Sequence, residues 1–424
     1  MSEQDLASLC VINPETLRPS TPADFKFRYL DISAVTEGQI DWSATKIFTF
    51  AEAPSRARRQ LRVGDAILCT VRPGLKAHAR IERADSYPLV ASTGFAVLRP
   101  HLATDAGFIF HQLFGDFVSA QLRARETGSN YPAVNEGDVK RLRFYAPEAE
   151  ERNRIAVALD IVDQAIANAG AVIAKLRQVR AGMIHDLLTC GIDENGELRD
   201  SVAHLEQFQE SSAGLIPKAW QNPTLGDAAD WFSGGTPSRS ERSFWSGEVP
   251  LLTPKDMKML VLSDTSEHIT EEAVQGGSRL MPSETVFIVV RGMILARTFP
   301  VCLSSRPFAF NQDIKAIRGR AALSNRFLAQ WFAANSSMFL RRATEATHGT
   351  KKLDTPDLLR VHIGIPRPEE QAMIVERIES LDSDLSNETA IRSKLTQVKS
   401  GLISDLLTGR VRVPEAAVST EVPE

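Results

Sequence analysis

Basic residues crowd two short stretches of the N-terminal third, Arg56, Arg58, Arg59 and Arg62, then Arg72, Lys76, Arg80 and Arg83. A guanidinium forks onto phosphate oxygens and onto purine edges, so such a run suits a polyanion, although an arginine run is as often a solvated face. Downstream, ETGSNYPAVNEGDVKRLRF puts Gly128, Ser129 and Asn130 in a turn beside Tyr131 and Lys140. A polar loop of this kind can come close to a phosphate or a base edge, or simply connect two elements. WFSGGTPSRS (residues 231–240) could cradle a phosphate through its N–H groups, but a strand-connecting turn is the simpler reading.

Motifs for catalysis are missing. There is no Gly-Lys dipeptide for a Walker A loop, no GxGxxG fingerprint, no GxSxG elbow and no Asn/Asp-Pro-Pro-aromatic run of the kind amino-methyltransferases use. The eight histidines form neither HExxH nor HxH, and Cys10, Cys69, Cys190 and Cys302 form no CxxC pair, which argues against a zinc site and a disulfide framework.

A net charge of −4 on 424 residues looks wrong for a nucleic-acid binder until it is divided by region. Residues 1–146 carry 18 Lys and Arg against 16 Asp and Glu, and residues 214–365 carry 18 against 14, while everything else carries 13 against 23. The two regions that resemble globular units are mildly basic, and the acidity sits between and after them, as for a phosphate-facing pair on an acidic spacer. Hydrophobic content of 43%, with no run of eighteen apolar residues and no signal-like N-terminus, leads to the expectation of a cytoplasmic protein with no membrane partner.

The elements that must position these residues come in duplicate. Pro147–Thr189 and Pro366–Thr408, 219 positions apart, are identical at 17 of 43 positions without a gap. Each opens on proline and acidic residues and closes near glycine, as helices do. Apolar residues follow a 4,3 spacing: Ile155, Leu159, Val162, Ile166, then Val172, Leu176, Val179, Met183 and Leu187. The second copy answers with Ile374, Ile378, Leu381, Leu385, Ile391, Leu395, Val398, Leu402 and Leu406. This is a coiled-coil seam with a slip in phase at the six-residue step from Ile166 to Val172. Helices of roughly 65 Å at ~1.5 Å per residue cannot bury such a stripe alone, so the two copies are expected to pack antiparallel, the alternative being that each docks on its own unit.

The chain therefore reads as α+β, with a pseudo-two-fold internal repeat: a globular unit at 1–146, a helix at 147–190, a polar linker at 191–213, a second unit at 214–365, a second helix at 366–409 and a tail at 410–424. Strands are expected around 27–35, 65–73, 91–100, 249–257, 285–297 and 308–320, and Gly349 answers to Gly128. The helices are close copies and the globular units are not, as though the units read different things.

Taken together, PRPEEQAMIVERI, the endings KLRQVRAGMIHDLLT and KLTQVKSGLISDLLTG, GLIPKAW, and GGTPSRSERSFWSGEVPLLTPKDM make the chain similar to the specificity (S) subunit of type I DNA restriction-modification enzymes. One departure is Arg152 where the second copy has Gln371, expected to alter little beyond a local contact. The resemblance implies two target-recognition domains, each reading half of a bipartite sequence in double-stranded DNA and held apart by the antiparallel helices. It further implies a non-catalytic chain on which two modification (methyltransferase) subunits dock and which restriction subunits join, with S-adenosylmethionine, ATP and Mg²⁺ on those partners. Phosphate contacts would then fall to Arg56, Arg58, Arg59, Lys351 and Lys352, and base contacts to Arg72, Asn130, Arg291, Asn311 and Gln312. Leu159, Val162, Leu176, Val179, Ile378, Leu381, Leu395 and Val398 would form the seam and the partner-docking helices. A coiled-coil scaffold for protein partners, without DNA specificity, is the alternative, and an enzyme with an unfamiliar site is a third reading.

Overall fold

The computed structural model describes residues 3–414 apart from 213, 321 and 346–349; Gly349 and the tail beyond 414 lie outside the described residues. The chain divides into two compact units, one of residues 1–172 with 388–424 and one of residues 173–387.

The first unit holds two four-stranded sheets. In one, Lys46–Thr49, Lys26–Leu30, Leu89–Ser92 and Ala57–Leu61 lie in that order, and only the central pair, 26–30 with 89–92, is parallel. In the other, Cys10–Ile12, Phe95–Pro100, Ala66–Cys69 and Ala79–Arg80 are antiparallel throughout. Ala66–Cys69 and Leu89–Ser92 are buried along their whole length, which explains why they read as unbroken apolar runs. Helices Ala106–Gln112 and Asp116–Arg125 supply Phe108, Ile109 and Leu122 to the core.

The second unit repeats this threading. His268–Ile269, Val249–Leu252, Phe308–Phe310 and Leu280–Met281 form one sheet, again with a parallel pair at its centre, 249–252 with 308–310. Ala229–Ser233, Ile314–Gly319, Val286–Val289 and Val301–Ser304 form the other, with Val261–Leu262 added at its edge. Its core is richer in aromatics, with Phe287, Phe308, Phe310, Phe327, Phe332 and Phe339 fully buried, each contributing about 1.5–3 kcal/mol relative to exposure.

Two long helices, Ala149–Thr189 and Pro368–Leu406, carry their glutamates in the first turn and stop before left-handed Gly191 and Gly409. A side chain at Gly191 would strike the Trp220 ring, and one at Gly409 the Tyr145 ring, so each stop is roofed by an aromatic that only glycine admits. The helix ends dock on globular cores. In the first unit Ile155 and Leu159 share a core with Leu406 and Leu407; in the second Ile374 and Ile378 share one with Ile184, Leu187 and Leu188.

Within the first unit, Asp163 pairs with Lys399 at 2.5 Å and Gly170 faces Arg392, so the two helical segments there run in opposite directions. In the second unit Arg180 pairs with Asp382, which is the Asp163–Lys399 pair moved 219 residues with acid and base exchanged between helices.

The seam differs from the one read in the sequence. Val172, Val179, Ile391 and Val398 are exposed, whereas Ala169 and Ile173 are only 7% and 4% exposed. A line of buried and half-buried positions runs along the first helix through Val162, Ile166, Ala169, Ile173, Leu176, Arg180, Met183 and Leu187, a 3,4 alternation with no slip. In the second helix Leu381, Leu385, Glu388, Leu395, Lys399 and Leu402 are half-buried on the matching positions. The apparent slip has a physical origin: the seam passes through Ala169, Arg180, Glu388 and Lys399, which lack a branched apolar side chain, while Val172 beside Ile173 is exposed, and the long stems of Arg180, Glu388 and Lys399 pack while their heads stay wet. Leu159 and Ile378 are buried and Val162, Leu176, Leu381 and Leu395 half-buried; Val179 and Val398 leave the set.

By length and composition the helix Ala149–Thr189 could cross a bilayer, although no unbroken apolar run exists. Its apolar half nevertheless carries Asp160, bound by Arg80 at 3.0 Å and by His111 at 2.7 Å, and Asp163, bound by Lys399. Burial would raise the Asp160 carboxyl, yet the hydrogen bonds from His111 and Arg80 outweigh it and hold the group below the ordinary carboxylate range. Such a face belongs against protein.

Candidate nucleic-acid interface

In each unit the strand at the middle of the antiparallel sheet runs out into an arginine turn. In the first unit Ala66–Cys69 leads to Val71, Arg72 and the 3₁₀ turn Pro73–Leu75. Arg72 and Lys76, on either side of the turn, are both left-handed, with φ of 50° and 51°. Non-glycine residues hold that conformation only when their surroundings fix it. Here the polar loop does so: Arg72 N–H donates to Pro132 O at 2.7 Å, Val71 bridges Ala133, and Val134 N–H donates to Thr70 O at 2.9 Å. The Arg72 guanidinium donates to Asn130 O at 3.0 Å and lies 4.5 Å above the Tyr131 ring. Arg72, Asn130 and Tyr131 are all exposed, Tyr131 at 70%.

The second unit builds the same turn from other residues. Val286–Val289 leads to Arg291, Gly292 and the 3₁₀ turn Met293–Ala296. Gly292 N–H donates to Lys351 O at 2.9 Å and Arg291 bridges Lys352, so the segment 351–352 stands where the Asn130 loop stands in the first unit. Lys351 and Lys352 are half-buried and lie 3.6 Å from Glu345 and 2.9 Å from Asp354. Asp313, whose carbonyl holds the Arg291 N–H, is raised above the usual carboxylate range by burial, against the pull of the Arg291 charge.

The remaining candidates disperse. Arg56, Arg58 and Arg59 lie at strand Ala57–Leu61, where side chains alternate between faces. Arg56 is tied to Asp31 at 2.6 Å and to Tyr29, Arg58 lies over Phe50, and half-buried Arg59 reaches Thr16 and approaches Glu136 at 4.0 Å. What reads as one basic patch is therefore three separately engaged arginines. Asn311 is 8% exposed and its side-chain oxygen accepts from Asp313 N–H, so it shapes the turn between Phe308–Phe310 and Ile314–Gly319. Gln312 is exposed but accepts from Thr236 at 2.7 Å. Gly234 and Gly235 pack so closely on the carbonyls of Phe310 and Gly277 that no Cβ fits, so the GGTP segment is a structural turn.

Two features escaped the sequence reading. Tyr131 was recognised only as a neighbour; an aromatic inside a run of small polar residues was its signal. Exposed Arg239 stacks over half-buried Trp245 at 3.7 Å and, with Lys255, surrounds Glu267, an arginine-aromatic platform that the separation of the two residues concealed. Among the described residues no cluster of His, Cys, Asp and Glu could hold a metal ion.

A family model described as the type I restriction modification DNA specificity domain matches residues 217–397. The chain is 33% identical over 162 residues to the specificity subunit of the type I restriction enzyme EcoR124I/EcoR124II of Escherichia coli, covering 38% of this chain and 40% of that one. It is 19% identical over 421 residues to the HindI specificity subunit of Haemophilus influenzae, covering 86% and 90%. The alignments with the E. coli relative and with the MjaIX specificity subunit of Methanocaldococcus jannaschii span 40% and 42% of those proteins. Two solved structures share the fold. One, from work on complex assembly and conformational transition of the type I R-M system, superposes with a TM-score of 0.58 at 23% identity, covering 97% and 98%. The other, the type I restriction-modification S subunit from M. genitalium, gives 0.55 at 15%, covering 96% of both chains.

Proposed function

We propose that the chain, similar as it is to type I restriction-modification specificity subunits, is one of them, and that each of its α+β units reads one half of a bipartite target in double-stranded DNA. The observation that carries this reading is the repeated arginine turn: Arg72 and Arg291 leave corresponding strands of similarly threaded sheets, and both are exposed beside a polar segment. Two readers of one plan with different side chains suit two different half-sites. In this proposal the domains span 1–146 and 214–365, and the long helices, packed antiparallel, fix the gap between half-sites. The opposed order of the Asp163–Lys399 and Gly170–Arg392 contacts supports that packing. A fixed spacer makes two short readings act as one long site, because the second event is intramolecular.

The exposed Val172, Val179, Ile391 and Val398 would then serve two docked methyltransferase subunits, which restriction subunits join. S-adenosylmethionine, ATP and Mg²⁺ are assigned to those partners, and this chain to recognition without catalysis. Selection from random duplexes with the chain and a modification subunit tests the proposal. Enrichment of two short motifs at constant spacing is expected; a contiguous motif, or none, would favour the protein-scaffold alternative.

A further inference from the structure

We propose that the second unit contains a binding pocket for a small organic phosphate, in a cavity whose counterpart in the first unit the protein closes with its own side chain. The inference does not depend on DNA reading.

The closed version is built by Gln112, at the end of helix Ala106–Gln112. It is 1% exposed, and its amide donates to Tyr145 O at 3.1 Å and to Leu407 O at 3.2 Å, stitching a strand to the end of a long helix. Gln330 stands at the matching place in Asn325–Ala334, since Gln112-Leu113-Phe114 answers to Gln330-Trp331-Phe332. The residues that would receive its amide, Gly364 and Leu188, lie 219 positions from Tyr145 and Leu407. Both are present, yet Gln330, 5% exposed, makes no side-chain hydrogen bond among the described residues. Instead Gln330, Gly364 and Leu188 line a cavity of about 450 Å³.

The Gln330 amide, without a protein partner among the described residues, opens onto a space large enough for a ligand, and the lining determines which one. Arg342, Arg360, His185 and His362 border the cavity, Arg180 sits at its edge held by Asp382, and no acidic side chain lines it among the described residues. Arg342 has no acidic partner among the described residues, and Arg360 is 80% exposed with only a 3.7 Å contact to Asp357. Guanidinium groups on a rim with apolar walls below favour an anion attached to a compact organic body, and the volume falls within the usual range for small-molecule sites. The phosphate would meet the arginines while the body bonds the Gln330 amide, supplying the partners that Gln112 finds in Tyr145 and Leu407.

Calorimetric titration of the full chain with AMP, and separately with inorganic phosphate, tests this. Saturable binding of one AMP per chain is expected, at least tenfold tighter than inorganic phosphate, and weakened at least tenfold by Gln330→Leu and by Arg342→Ala. Absence of saturable AMP binding at millimolar concentration would overturn the proposal, as would affinities unchanged in both variants. Phosphate binding as tightly as AMP would also overturn it, since that marks a surface anion patch. Should Gln330→Leu lose its native circular dichroism, exposed Arg342→Ala decides alone.

Discussion

At the start of each long helix the two units make the same joint with opposite chemistry. In the first unit Arg152, 8% exposed, donates to both oxygens of Asp105 at 2.8 and 2.9 Å and to Pro147 O at 2.8 Å. In the second, Gln371 accepts from Ser324 N–H at 2.8 Å and donates to Ala322 O at 2.7 Å and Pro366 O at 2.8 Å. Gln371 lies 219 residues after Arg152, and Ser324 lies 219 after Asp105. The Arg-to-Gln difference, which looks like a small local departure in the sequence, is therefore half of a paired exchange. The geometry of the joint is retained and its charge is not, so neither half transplants alone.

The largest expected effect follows from breaking that pairing. Arg152→Gln leaves Asp105, 1% exposed, without its cation, and loss of one partner from a buried pair costs about 3–5 kcal/mol. Arg152→Gln combined with Asp105→Ser should recover most of the loss, because it recreates the neutral joint. Denaturant unfolding of the two variants measures both. A double variant no better than the single one would mean that the exchange is coincidental.

The next comparison concerns two matched glutamates. Glu370, 7% exposed, accepts from Ile192 N–H at 2.9 Å, from the Trp220 indole at 3.0 Å and from Arg199, itself 13% exposed. Glu151, 219 residues earlier, accepts from Arg412, which is 67% exposed, and from Val413 N–H. Each glutamate pins the segment that follows the other long helix. Removal of Glu370 strands two buried donors and a largely buried guanidinium, whereas Arg412 returns to water. Glu370→Ala should therefore lose ~3 kcal/mol and Glu151→Ala ~1 kcal/mol, read by thermal or chemical unfolding. Equal losses would show that burial of the partner does not set the difference.

How much of this was legible before the structure depends on what marks each position. The α+β class and most strands could be read because Ala66–Cys69, Val286–Val289 and Phe308–Phe310 are short apolar runs that emerge as wholly buried strands. The repeat was plain because its helices are near copies. The middle of the seam was not, because Ala169, Glu388 and Lys399 carry no apolar signature and exposed Val172 and Ile391 do. The arginine run misled for a related reason: one-dimensional proximity says nothing of the face of a strand or of an acid such as Asp31, 25 residues away. The seam can be tested directly. Ile173→Ala should cost about 2 kcal/mol and Val172→Ala below about 0.5 kcal/mol, since one side chain is 4% and the other 43% exposed. A reversed order would restore the seam read from the sequence.

The smallest effects in stability are expected where the units differ in how they present an arginine. Arg72 is held from three sides, by its left-handed backbone, by Asn130 O and by the Tyr131 ring, whereas among the described residues Arg291 is pinned through its backbone, by Lys352 and Asp313, and its guanidinium meets only the Asp313 charge. A pre-ordered guanidinium loses less freedom on contact, so the first unit should discriminate its base more sharply. Arg72→Ala should lower selectivity at one position of its half-site by roughly 10- to 100-fold, in line with the ~1–3 kcal/mol of a bidentate base contact, and Arg291→Ala should do less. Tyr131→Ala sharpens the point because it leaves the arginine in place. Loss of the stack, worth about 0.5–1 kcal/mol at an exposed site, should relax selectivity at the same position by only a few-fold and leave the other half-site untouched. Competition binding with single-base variants of the selected target reads both. If Tyr131→Ala weakened all sequences equally, Tyr131 would be a general contact with the duplex, and the pre-ordering of Arg72 would not be what separates the two readers.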